Sequence, residues 1–132
     1  MPFTHSFSPD ASFAVVVAEG ACDLAATLAE IESLSADPRF TRGMGILADA
    51  RRIDYVPSPD ETRLIAMVSS RREAFQDHPL AIVVEQMIHY GLARLFAAHA
   101  ALQGATVEVF RDVGEAQSWL HAKVHSTPRN ET

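Results

Sequence analysis

At 132 residues the chain has the length of one domain, and folding at that size removes roughly two thirds of the unfolded surface from water, enough for a real core. The single cysteine, Cys22, excludes an intramolecular disulfide framework, and the longest apolar run, Phe13 to Ala18, falls far short of the roughly 20 residues that span a bilayer. Eleven basic against seventeen acidic residues leave a net charge of −6, which opposes phosphate backbones, so nucleic acid is not an expected partner. No charged, apolar, small-residue series of the signal-peptide kind opens the sequence, and a cytoplasmic setting is expected.

The elements follow in chain order. Phe3, His5 and Phe7 alternate with smaller polar residues in the period of a half-exposed strand. The turn chemistry of Ser8-Pro-Asp-Ala-Ser12 then predicts a hairpin into Phe13–Glu19, a β-branched run closed by Gly20. From Asp23, placed to cap, Leu24, Leu28, Ile31 and Leu34 recur at helical spacing until Asp37-Pro38. Gly45–Asp49 is a further short strand, with a polar loop to Pro57. Ser58-Pro59-Asp60-Glu61 combines a serine cap, a proline at the first helical position and a capping-box glutamate, and predicts a helix to about Gln76, ahead of His78-Pro79. Leu80–Val84 reads as a buried strand, Gln86–Gln103 as a helix with Gly104 beyond its C-cap, Ala105–Phe110 as the last strand, and Asp112 to about Val124 as a final helix anchored by Trp119 and Leu120.

The order β-β-α-β-α-β-α-β-α predicts an α/β fold: a mixed, mostly parallel five-stranded sheet with an antiparallel first edge strand. A single domain over residues 1–124 is expected, with 125–132 as a frayed tail.

Several segments taken together resemble the SpoIIAA-like proteins, related to the STAS domains of sulfate transporters and anti-sigma factor antagonists. They are Gly45-Ile-Leu-Ala-Asp-Ala-Arg51, Leu80-Ala-Ile-Val-Val84, Tyr90-Gly-Leu-Ala-Arg-Leu-Phe96, Val109-Phe-Arg-Asp112 and Glu115-Ala-Gln-Ser-Trp-Leu120. The resemblance spans about Phe13 to Leu120 and implies the SpoIIAA-like fold, in a family whose better-known members are phosphorylation-controlled partner-binding modules. It places Ser58 where the family's phosphorylated serine stands, flanked here by Pro57, Pro59 and Asp60 instead of the family's Asp-Ser-x-Gly pattern. CRAL-TRIO lipid-binding domains share a related fold, which makes a bound apolar ligand the other inherited expectation.

Glu19, Asp49, Glu85 and Asp112 fall at carboxyl ends of predicted strands, where a hard divalent ion could be held or where they act simply as caps and solvated ends. His121 and His125 are four apart, but no third metal ligand accompanies them. On the Gln86–Gln103 helix, Ile88, Leu92, Leu95 and Leu102 form an apolar stripe that includes His99, which is therefore expected to be buried, with its pKa depressed by desolvation. Tyr90 and Arg94, at i and i+4, could grip an anion or a partner's carboxylate. Neither Cys22 nor any serine comes with the base and orienting group a nucleophile needs, and no phosphate loop or zinc pattern occurs.

The expectation is therefore a non-catalytic STAS-like binding or regulatory module, with no cofactor and no metal, that acts through protein partners or self-association. Its contact surface would be Ser58, Tyr55, Asp49 and Arg51. The alternative is a carrier or sensor of a small amphipathic or apolar ligand, in a pocket lined by His99, Met67, Phe75, Met87 and Phe96.

Overall fold

The computed structural model describes residues 2–125, the side chain of His125 excepted; the tail from Ser126 to Thr132 lies outside the described residues. Strand β1 (Phe3–Phe7) pairs antiparallel with β2 (Phe13–Ala21), Phe3 opposite Ala18 and Phe7 opposite Ala14. The Ser8 hydroxyl oxygen closes their hairpin by accepting from the backbone N–H groups of Ser12 and Phe13 at 3.1 and 3.0 Å. Helix α1 (Leu24–Ala36) follows, its cap being the Asp23 carboxylate, which accepts from the N–H of Ala26 at 2.9 Å. Then come β3 (Gly45–Asp54), α2 (Pro59–Ser69), β4 (Leu80–Val83), α3 (Met87–Leu102), β5 (Val107–Phe110) and α4 (Val113–His125).

The sheet order is β1-β2-β3-β4-β5, with every pair after the first parallel. Each crossover steps to the next strand in the same direction, and three crossovers of one hand put α1, α2 and α3 on a single face. There Ile31, Leu34, Ala66, Phe96 and Ala100 pack against Ala14, Val16, Ile46 and Leu80. Helix α4 alone covers the other face, where Ala116 and Leu120 meet Leu47, Ala81 and Val83.

Two boundaries differ most from the sequence expectation. Helix α2 stops at Ser69, not Gln76. The paired serines compete for local backbone, the Ser69 hydroxyl donating to the Ala66 carbonyl at 3.3 Å, and the chain then folds back so that the Phe75 N–H reaches the Ser69 carbonyl at 2.9 Å and its ring enters the core. Strand β3 runs on to Asp54 through residues that read as a polar loop, because the backbone ladder is indifferent to side-chain polarity. Past a bulge between Val17 and Glu19, Arg52 lies opposite Glu19 and Asp54 opposite Ala21.

Candidate functional site

Between the sheet and the three-helix layer lies a cavity of about 220 Å³, with a surface that is almost entirely carbon. The floor is built from β2, β3 and β4, whose alternation points Val16, Ala18, Ile46, Ala48 and Ile82 into it, with Val84 just past the end of β4. Alanines at Ala18, Ala48 and Ala50 leave room that branched side chains would fill. The helices supply Ile31 and Leu34, Thr62 and Ile65, and Leu92, Ala93 and Phe96.

Nearly every polar side chain in this wall is already bonded within the chain. Thr27 donates to the Asp23 carbonyl at 2.8 Å, Thr62 to the Ser58 carbonyl at 2.9 Å, and Ser69 to Ala66. Glu30 holds His5 at 2.7 Å, and Asp49 takes both a 2.9 Å and a 2.8 Å bond from the Arg51 guanidinium, which lowers its carboxyl pKa. Tyr55 donates its phenol to Glu61 Oε1 at 3.2 Å, and burial, reinforced by that carboxylate, pushes the phenol up to about 12.

His89 is the exception. It stands in the first turn of α3 and is only 7% exposed. Its Nε2 lies 3.0 Å from the Tyr55 backbone carbonyl, whereas Nδ1 is buried and has no hydrogen-bond partner among the described residues.

The expected pocket residues divide. Phe75 and Phe96 belong to the wall. Met67 and Met87 do not; both are exposed, Met87 to 67%. His99 is half-buried and also outside the wall. Met67 misses because α2 buries Thr62, Ala66 and Ser69, which turns Met67 outward. For Met87 and His99 the reason is the rotation of α3, whose buried series is His89, Ala93, Phe96 and Ala100, one position on from the stripe traced by large apolar residues, with Ile88 and Leu102 54% and 82% exposed. Small alanines let the helix approach the sheet, so the narrow side of the helix faces inward. A signal for this was present in the sequence, since 89, 93, 96 and 100 share one helical face.

Ser58 is a complete capping box: its hydroxyl accepts from the Glu61 N–H at 3.1 Å, and Glu61 Oε1 accepts from the Ser58 N–H at 3.0 Å. Tyr55 is half-buried against the cavity, and Arg51 turns back onto Asp49. Tyr90 and Arg94 pair with each other at 3.3 Å. The four strand-end acids are separately engaged or exposed: Glu19 pairs with Arg52 at 3.7 Å, Asp112 caps α4 by accepting from the Glu115 N–H at 2.9 Å, and Glu85 is exposed. No group of three metal-ligating side chains assembles among the described residues. No helix among them is long and apolar enough to cross a membrane.

Sequence reasoning also passed over two other histidines. His5 lies between Glu30 and Asp37, at 2.7 and 3.2 Å. His78 stacks on Phe40 with centroids 4.1 Å apart and bonds the Met44 carbonyl at 2.7 Å.

No protein-family model matches this chain, and no curated protein matches it in sequence. Among solved structures it is similar to an uncharacterised protein of the DUF3478 family from Shewanella loihica, described as having a SpoIIAA-like fold. The likeness covers 89% of this chain and 91% of that one, at 17% identity and a TM-score of 0.55. At that identity the match carries the fold alone, and the fold agrees with the sheet order and helix placement described above.

Proposed function

Starting from a SpoIIAA-like α/β fold, we propose that this chain is a non-catalytic binding module, and that the cavity between its sheet and three helices takes a small apolar or amphipathic ligand. The carrying observation is the cavity itself, about 220 Å³ with an apolar wall. An apolar cavity of about 150 Å³ takes up benzene, and drug-sized ligands occupy roughly 300–1,000 Å³. The fitting ligand is therefore on the scale of one substituted aromatic ring. Thr27, Tyr55 and Thr62 in the wall already donate within the chain, which favours a binding role over chemistry at this wall.

Titration of uniformly ¹⁵N-labelled protein with 4-ethyltoluene tests this. Saturable shifts should appear at wall residues such as Ala48, Ile65 and Ala93 and be abolished in Ala48→Leu, which fills the space. Unsaturable shifts, or shifts elsewhere, would refute the reading.

A second reading, docking of a protein partner or of another copy, is favoured by one observation. Val56, Met87 and Ile88 are 56%, 67% and 54% exposed, and Val56 and Ile88 adjoin the two residues of the Tyr55–His89 bond. Sedimentation equilibrium of wild type against Ile88→Glu checks the second-copy form: loss of a dimer in the variant supports it, and a wild-type monomer removes it.

A further inference from the structure

Resting on the cavity as a ligand site, we infer that His89 is its polar anchor and that the ligand carries a single neutral hydroxyl, donated to His89 Nδ1. The Tyr55 carbonyl can only accept, so the hydrogen of the neutral ring sits on Nε2 and Nδ1 presents a lone pair. That acceptor belongs to a ring that is 7% exposed and is among the residues lining the cavity, and it has no partner among the described residues. A buried acceptor left unpaired is costly, and polar groups in such places are ordinarily satisfied. The other polar side chains of the wall already make bonds within the chain, so Nδ1 of His89 is the wall's one buried side-chain acceptor left with no bond among the described residues.

The surroundings choose among head groups. Glu30 and Asp49 in the same wall are already paired with His5 and Arg51, and the lining includes no lysine or arginine, so a carboxylate or phosphate would lose its hydration there without a counter-charge. An ammonium would be desolvated against carbon. A neutral O–H loses least on entry and meets a fixed acceptor, while the rest of the ligand must be apolar and about the size of an alkyl-substituted ring. Phenols and compact alcohols form that class.

The probes are 4-ethylphenol and 4-ethyltoluene, which differ in a hydroxyl for a methyl and hardly in shape. Calorimetry on the wild-type protein should show the phenol bound at least as tightly as the toluene. A wall with no acceptor would strip the hydroxyl of water, return nothing, and favour the toluene. In His89→Phe the phenol-to-toluene affinity ratio should fall about tenfold or more, the scale of one hydrogen bond to a buried acceptor, with toluene binding retained. The Nδ1 nitrogen resonance of ¹⁵N-labelled His89 should move on adding the phenol and stay put on adding the toluene. That measurement on the wild type decides the matter even if His89→Phe does not fold.

A wild-type preference for the toluene, with shifts still confined to the wall, overturns the anchor and leaves the cavity reading standing. The anchor also falls if the phenol preference survives in His89→Phe. Binding of neither probe refutes both readings.

Discussion

The two faces of the sheet carry the same strands but are packed in different ways. Under α4, Leu120 and Val83 are fully buried, and a Cβ on Gly45 would come within 2.9 Å of Leu120 and Val124, so the contact of α4 with β3 is laid down at close approach, although an open, more polar cleft lies beside it, lined by Phe13, Val15, Gln117 and His121. Under α1, α2 and α3, alanines at positions 18, 48 and 50 meet a helix layer that leaves about 220 Å³ open. Topology alone does not create that opening, since a helix can close onto this sheet as α4 does over Gly45. Side-chain volume does: close packing forfeits contact wherever small residues face one another across a gap.

The largest effect should come from breaking the close-packed face. Leu120→Ala leaves a void with tightly packed neighbours and should cost about 2–5 kcal/mol, read as a lower urea midpoint. Ile65→Ala on the other face only widens an existing opening and should cost less. Equal losses would mean that the cavity is filled as effectively as the core beneath α4.

Adding atoms should separate the faces by sign. Gly45→Ala drives a methyl to 2.9 Å from both Leu120, which is 1% exposed, and Val124, and should destabilise by about 1–3 kcal/mol. Ala48→Leu enters open space and should be neutral or stabilising by about 0.5–2 kcal/mol while blocking ligand uptake. Thermal melts of the two variants compare them directly, and a matching loss in Ala48→Leu would show that the space is not available.

A local device at the edge of the cavity layer should have a smaller effect. Removing the cap in Ser58→Ala should cost about 1 kcal/mol, whereas Ser58→Asp retains an acceptor and adds a charge suited to the helix N-terminus. Denaturant curves with Ser58→Ala equal to wild type would remove the capping role.

These contrasts also mark what the sequence could disclose. The start of α2 was legible because its signals are local and redundant: Ser58, Pro59 and Glu61 serve one boundary. The alternation of strands and helices, and with it a mostly parallel sheet, was legible, whereas the strand order β1-β2-β3-β4-β5 was not. The phase of α3 was not, because large residues such as Ile88 and Leu102 outweigh Ala93 and Ala100 in any reading of hydropathy, although the alanines are what permit close approach to the sheet. His89 was hidden for a second reason as well: its bond to the Tyr55 carbonyl joins residues that sequence spacing does not bring near.

The smallest expected effect sets two histidines on the cavity side of the sheet against each other. Burial disfavours a charged ring at His5, but hydrogen bonds to Glu30 and Asp37 outweigh it and its pKa is raised. Both partners are carboxylates, so both ring nitrogens donate, as only the imidazolium can. Burial also disfavours the charge at His78, and there the carbonyl of Met44 and the carboxylate of Asp77 do not compensate, so its pKa is lowered. The signs follow from proton linkage. His5 binds its proton more tightly in the folded state, so its contribution is fully present below the unfolded value of about 6.5 and is lost as pH rises through the folded value. His78 binds its proton less tightly when folded, so its contribution is fully present above about 6.5 and is lost as pH falls toward its folded value. Asp37, with Arg39 bonded to it, remains ionised throughout this range. Urea midpoints from pH 5 to 8 should therefore change little in the wild type if the two terms offset. They should slope upward with pH in His5→Gln, where His78 remains, and downward in His78→Gln, where His5 remains. Parallel profiles for the two variants would contradict the assignment of opposite charge states to these rings.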